Sequence, residues 1–194
     1  YTNLVQDLGD PAVSYDTGFH GIFIQDDYRI SPSFKLLFGL RYDLFKIPDA
    51  RPFAANPLSQ SFKVDKNNFA PRIGLSWSVD PEARTVVRAS TGIMYEPPLL
   101  NLYEDAIQRN GDPRSFTATL NPTSAGAPPF PSTLADLPPG FALPVQSPIM
   151  IAADFDSQWA LMTNVQVERA LTRDLAVSLG YVNSTGRSMP VLID

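Results

Sequence analysis

Residues 34–44 read FKLLFGLRYDL, and this stretch decides the fold because its side chains alternate in character with a period of two. The even-numbered positions carry Phe34, Leu36, Phe38, Leu40, Tyr42 and Leu44. The odd-numbered positions carry Lys35, Leu37, Gly39, Arg41 and Asp43. Successive side chains of a β-strand point to opposite faces, so the stretch predicts a strand with one apolar face and one largely polar face.

The same alternation recurs along the chain in segments that pair into three hairpins. We expect these hairpins at about residues 18–45, 70–95 and 157–183. A short polar turn closes each hairpin, whereas proline-rich loops at 46–68 and 96–155 separate one hairpin from the next. Proline has no backbone donor for a central strand, so these loops are predicted to lie outside the sheet. The expected fold class is all-β, an antiparallel up-and-down meander of about six strands with its long loops on one side.

Two further segments are assigned from composition alone. Residues 1–14 are polar and rich in turn-forming residues, and we interpret them as the end of a loop. Residues 99–109 are predicted to form a short helix inside the second long loop.

The overall composition excludes several classes of protein. The 194 residues carry a net charge of -5, which does not predict nucleic-acid binding. No run of about 18 apolar residues occurs, so a membrane-spanning helix is not expected. Cysteine is absent and His20 is the single histidine, which removes thiolate chemistry, disulfides and sites built from several histidines. We therefore predict no catalytic residues, no metal site and no cofactor, and we expect the protein not to be an enzyme.

Period-two alternation suits a soluble β-sandwich as well as a membrane barrel, and the positions of the aromatic residues distinguish the two. Tyrosine and tryptophan collect in girdles at the membrane interfaces of barrels. Near the predicted strand ends we find Tyr28, Trp77, Tyr42, Tyr95, Trp159 and Tyr181, the first two at the short-turn end and the others at the long-loop end. The middles of the apolar faces are aliphatic or small, which favours contact with lipid.

The opposite, polar faces are predicted to line the barrel lumen. The candidates for lumen-facing residues are Gln25, Asp27, Arg41, Arg72, Arg88, Gln166 and Glu168. One interpretation of Arg41, Arg72 and Arg88 is a basic lining for anionic substrates or for contact with a plug. We expect instead that each pairs with a carboxylate on a neighbouring strand, with plug contact as an addition, and that Asp27 pairs with Arg29 or Arg41. Asp26 and Asp27 are adjacent and therefore face opposite sides of the sheet, so they cannot act together as an acid and a base.

Several strings, in their order along the chain, resemble those of TonB-dependent outer-membrane receptors. FIQDDYR and FGLRYD, within residues 23–43, resemble the hairpin QDDW-K/R…GLRYE. DKNNFAPRIG at 65–74 and TVVRASTGIMY at 85–95 resemble the successive strings NNFAPRIG and TVVRGGYGIFY. QW and LGYVNS, within residues 158–184, resemble QQWNL…LGYVGS. Together they are most similar to Oar-like receptors, which have a carboxypeptidase-regulatory-like N-terminal domain.

The resemblance implies that residues 1–194 are part of a TonB-dependent receptor barrel in a Gram-negative-type outer membrane. It implies energy-coupled uptake of a large ligand such as a siderophore, a glycan or a peptide, with the long loops at the outer entrance. Such barrels have about 22 strands, so we expect a piece of a longer protein. The expected partners are outer-membrane lipid, the unidentified ligand, and a plug domain and the TonB complex through missing parts of the chain. The alternative is a soluble or surface-exposed β-sandwich that binds a ligand.

Overall fold

A computed structural model describes residues 2–9, 14–52, 54, 56–109, 115–135 and 149–193 of the chain. The chain divides into two compact units. The sheet unit comprises Gly18–Lys46, Val64–Pro98 and Asp156–Asp194, and the loop unit comprises Tyr1–Thr17, Ile47–Lys63 and Leu99–Phe155.

The elements are numbered in chain order. They are β1 (Leu4–Gly9), β2 (Gly18–Ser31), β3 (Phe34–Lys46), β4 (Phe69–Ser78), β5 (Thr85–Tyr95), α1 (Leu100–Gln108), β6 (Ser115–Leu120), β7 (Trp159–Ala170) and β8 (Ala176–Arg187), with a 3₁₀ turn at Pro57–Ser59. The helix expected at 99–109 is confirmed by α1.

The sheet unit is a single antiparallel sheet of six strands in the order β2-β3-β4-β5-β7-β8. Every strand pairs with the next one along the sheet, so the predicted meander of three hairpins is confirmed. Its strands are 10 to 14 residues long, which matches or exceeds the 9–11 residues that a tilted strand needs to cross a bilayer. Within the described part of the chain the sheet is open, because β2 and β8 have no outer neighbour.

The three short turns are staggered relative to one another. Phe34, which follows the first turn, lies in one row of directly opposed residues with Val167 of β7. Strand β7 continues three residues beyond Val167, to Ala170, before the third turn. Three residues advance about 10 Å across three strand spacings of about 4.8 Å, a slope of about 35°. Barrel strands tilt by about 35–45°, so this stagger has about the size that a tilted barrel wall requires.

The apolar face of the sheet is continuous and exposed. Leu36, Leu75, Ala89 and Val165 lie side by side in one row across four strands. Elsewhere on this face, Ile22 is 72% exposed and Leu179 is 77% exposed. In a sandwich these side chains would meet a second sheet in a shared core. The alternative prediction of a sandwich is therefore wrong for the six described strands of this unit.

The loop unit contains a second sheet that the sequence did not predict. Leu4–Gly9 pairs antiparallel with Ser115–Leu120, so the interpretation of residues 1–14 as loop is wrong for β1. A small core of Ala118, Leu120 and Leu134 lies beside this ribbon. The amide of Gln6 donates to the Leu134 carbonyl at 2.7 Å and accepts from the Leu134 N–H at 2.9 Å, as a neighbouring strand would. Both segments are short and far apart in sequence, which explains why no local pattern revealed the pairing.

The remaining segment of the loop unit, Ile47–Lys63, contacts the segment Leu99–Phe155. The ring of Phe62 packs edge-on against Tyr103 of α1, with 5.3 Å between their centroids. The Asn56 side chain lies 2.8 Å from the sulfur of Met150 and also caps the 3₁₀ turn by accepting from the Leu58 N–H. The long connections thus form one folded unit with its own buried residues.

The carboxylate of Asp80 organises the second short turn. Its two oxygens accept hydrogen bonds from the N–H groups of Arg84 and Thr85, both at 2.7 Å. The bonds from Thr85 and then Arg84 hold the pKa of Asp80 below its usual value. A carboxyl with a lowered folded-state pKa stabilises the fold above its unfolded pKa of about 3.9 and loses that effect as the pH falls through the folded value.

We expect Asp80→Ala to lower the urea midpoint of the refolded protein at pH 7, because two backbone donors lose their acceptor. The difference from the unsubstituted protein should shrink as the pH falls below about 4, because Asp80 becomes protonated first in the unfolded chain and, at lower pH, in the folded protein. Urea titrations in detergent micelles at a series of pH values test this. Glu82→Ala, an exposed change in the same turn, is the control, and a difference that is independent of pH would contradict the expectation.

Candidate ligand-facing surface of the sheet

The strand registers place every predicted lumen-facing residue on one face of the sheet. Gln25 is opposite Gly39, which is opposite Arg72, and Arg88 is opposite Gln166. The remaining candidates on this face are Asp27, Arg41 and Glu168. We call this surface the polar face. That it lines a lumen stays a prediction.

Three carboxylates of the polar face form ion pairs. Asp27 pairs with Lys35, its diagonal neighbour across the hairpin. The prediction that Asp27 pairs with Arg29 or Arg41 is therefore wrong. Arg41 pairs instead with Asp43, two residues along its own strand.

The guanidinium of Arg41 pairs with the carboxylate of Asp43 through its Nε and Nη2 atoms. Nε donates to both carboxylate oxygens, at 2.8 and 2.9 Å, and Nη2 lies 2.8 Å from Oδ1. A Cβ atom added to Gly21 would lie 2.7 Å from the Arg41 Nη2 atom, so the glycine leaves room for this pair. Arg88 pairs with Glu168 at 2.9 Å, diagonally from β5 to β7, as expected for a cross-strand pair.

Arg72 differs from these arginines because it makes no ion pair with any described residue. Its neighbours in the row are Gly39 on β3 and Gly92 on β5. A Cβ atom added to Gly92 would lie 3.0 Å from the Arg72 Cβ atom, and one added to Gly39 would lie 2.9 Å from the carbonyl oxygen of Ile24. The residues on either side of Arg72 in this row therefore have no side chains, and only backbone atoms flank it.

Two cavities lie along the polar face, and Arg72 contributes to both. The smaller, of about 340 Å³, also includes Arg41 and Tyr95. The larger, of about 680 Å³, also includes Arg88 and Asn164. The Asn164 amide donates to the Ser90 hydroxyl at 2.8 Å, which orients its side chain along the floor of the larger cavity.

A buried polar cluster at the long-loop end of the sheet was not predicted. We call it the rim cluster, and it consists of Asp43, Asp65, Asn68 and Ser157. Asn68 is fully buried, and its Nδ2 atom and its carbonyl bond to the carbonyl and the N–H of Asp43, both at 3.1 Å. Asp65 accepts from the Ser157 N–H at 2.9 Å. The cluster thus joins the segment before β4 to β3 and to the segment before β7.

The predicted interface aromatics occupy strand ends in five of six cases. Tyr28, Tyr42, Trp77, Tyr95 and Trp159 each lie within four residues of the end of a strand. Tyr181 was placed at the long-loop end, and this is wrong, because β8 continues to Arg187 and Tyr181 is its sixth of 12 residues. The extra residues of β8 are polar, and their pairing with Trp159–Thr163 of β7 makes them part of the strand. A membrane-interface role for these side chains stays a prediction.

These features together define a class of protein. In the described part of the chain, no helix is long and apolar enough to cross a membrane. The staggered meander has an exposed apolar face, a polar opposite face and aromatic strand ends, which is the construction of a wall of an outer-membrane β-barrel.

Comparison with known families agrees with this class. Residues 52–194 match the family described as outer membrane beta barrel domain, and the chain belongs to that family. Its location is the outer membrane. Comparison with curated proteins and with solved structures found no match.

Proposed function

We propose that the chain forms part of the barrel of a TonB-dependent transporter, which takes up a large ligand such as a siderophore, a glycan or a peptide with energy from the inner membrane. The observation that carries this proposal is the ordered set of strings within residues 23–184 that resembles such receptors, on strands that form one staggered wall. The protein would act by transport and not by catalysis. Its partners would be a plug domain and the TonB complex.

The long connections support a role at the ligand entrance. All three segments of the loop unit join the sheet strands at the same end, opposite the short turns. In outer-membrane barrels that end carries the long extracellular loops. A folded loop unit presents a defined surface to a ligand, which is what selective capture outside the membrane needs.

Uptake measurements with and without TonB test the proposal. We expect cells that produce the whole protein to take up one of three probes: a ferric hydroxamate siderophore, a maltodextrin or a fluorescent decapeptide. Uptake should stop when TonB is deleted or a protonophore is added, while the amount of protein in the outer membrane stays the same. Uptake that persists under both conditions, together with steady ion conductance of the purified protein in planar bilayers, would identify a passive pore instead.

A further inference from the structure

The polar face carries an excess of positive charge that the chain as a whole does not have. Its charged residues are Arg29, Lys35, Arg41, Arg72 and Arg88 against Asp27, Asp43 and Glu168. Five cations against three anions give this face a net charge of +2, whereas the whole chain has a net charge of -5. Anions are therefore attracted to this side of the sheet.

Among the described residues, the ion pairs on this face leave one arginine in mid-sheet without a carboxylate partner. The three carboxylates of this face each form an ion pair, with Lys35, Arg41 and Arg88 respectively. Of the two cations that form no ion pair with a described residue, Arg29 lies two residues from the end of β2, next to the short turn. Arg72 is the fourth residue of β4 and lies in the middle of the face.

The surroundings of Arg72 leave its guanidinium accessible. Gly39 and Gly92 flank it with no side chains, so an approaching group meets the guanidinium before it meets the sheet. Side chains that can hydrogen-bond line the larger cavity beside it: Gln25, Ser76, Ser90, Asn164 and Gln166. On the other side, Arg41 lines the smaller cavity together with Arg72.

We propose that Arg72 is the anchor of an anion-binding site on the polar face, which takes the carboxylate or phosphate group of a dissolved ligand. A guanidinium offers two parallel N–H donors that match the two oxygens of such a group, and an arginine without a carboxylate partner has these donors free. The amides and hydroxyls of the larger cavity would bond the rest of the ligand. The proposal rests on the polar face being in contact with water, as in the proposed transporter, and does not depend on TonB coupling.

Isothermal titration of the whole protein in detergent micelles with inorganic phosphate and with citrate tests the site. We expect binding that Arg72→Gln weakens at least about tenfold, the loss that corresponds to a single charge-assisted hydrogen bond. Arg72→Lys, which keeps the charge but not the paired donors, should fall between the two. The matched control is Arg29→Gln, which removes the same charge from the same face and should change the affinity less than twofold.

Three results would overturn the site: no binding by the unsubstituted protein, an unchanged affinity in Arg72→Gln, or an equal loss in Arg29→Gln. The first would mean that the polar face holds no site for these anions, and the last would mean that only net charge matters.

A labelling experiment separates failure of the site from failure of the proposed barrel orientation. The chain has no cysteine, so single-cysteine variants report on one position each. Gln166→Cys on the polar face should react with a membrane-impermeant maleimide, and Val165→Cys on the apolar face should not. If Gln166→Cys reacts and phosphate does not bind, the anion site is wrong and the orientation stands. If only Val165→Cys reacts, the orientation itself is wrong.

Discussion

Replacing Val165 by arginine should make folding into a bilayer less favourable by about 2–4 kcal/mol, the cost of an arginine at the midplane of a barrel's lipid face. Val165 lies at mid-strand in β7, with Ala89 and Tyr181 directly opposite on the neighbouring strands. Neither neighbour has a negative charge that could pair with the new arginine. The measurement is urea-dependent folding of the protein into phospholipid vesicles.

The neighbouring residue supplies the matched control. Asn164 has the same depth on β7 but lies on the polar face, where it bonds to Ser90. Asn164→Arg should cost about 1 kcal/mol, the value of that hydrogen bond. If Asn164→Arg costs more than Val165→Arg, the polar face and not the apolar face contacts lipid.

Replacing Asn68 by alanine should lower the free energy of unfolding by about 1–3 kcal/mol, because the carbonyl of Asp43 loses its partner while it stays buried. Asn68 is completely buried, and its side chain bridges the ends of β3 and β4. Asn68→Asp should destabilise at least as much, since it replaces the donor by an acceptor that faces the carbonyls of Asp43 and Asp65. Urea titration monitored by tryptophan fluorescence measures both changes.

The control for the rim cluster is Lys66→Ala. Lys66 is exposed. Its backbone carbonyl accepts a hydrogen bond from the Tyr42 hydroxyl at 3.0 Å, and a change of the side chain leaves that acceptor in place. This change should leave the free energy of unfolding within about 0.5 kcal/mol of that of the unsubstituted protein. A loss as large as that of Asn68→Ala would show that the segment before β4 tolerates no change at all, and the specific role of Asn68 would be rejected.

Local patterns were sufficient for the strands of the sheet. Alternation over ten or more residues, as in residues 34–44, specifies both the strand and its faces, because one residue of slippage would exchange the two faces. The short turns then bring consecutive strands together, and the register of each hairpin follows from its turn. The seven lumen-facing candidates could be grouped on one face for the same reason.

Contacts between distant segments could not be predicted in this way. The pairing of β1 with β6 joins residues more than 100 positions apart through two six-residue strands. Asp27 has several cations near it along the hairpin, and only the placed side chains show that it pairs with Lys35 while Arg41 pairs with Asp43. The placement of Tyr181 was wrong because the sequence did not predict how far β8 extends. The polar run from Asn183 to Arg187 shows no apolar alternation, yet it belongs to the strand.

The sequence by itself determined the six-stranded meander, its two faces and its membership in an outer-membrane class, because side-chain alternation and turn chemistry act over neighbouring residues. The tertiary structure alone decided which charges form no ion pair within the described residues, how the long connections fold together and how the rim cluster joins the segments before β4 and β7 to β3. These features depend on side chains from different strands competing for the same partners. Arg72 illustrates the difference: its face was evident from β4 alone, but that it pairs with no carboxylate of the described residues emerged only once the neighbouring strands had been placed.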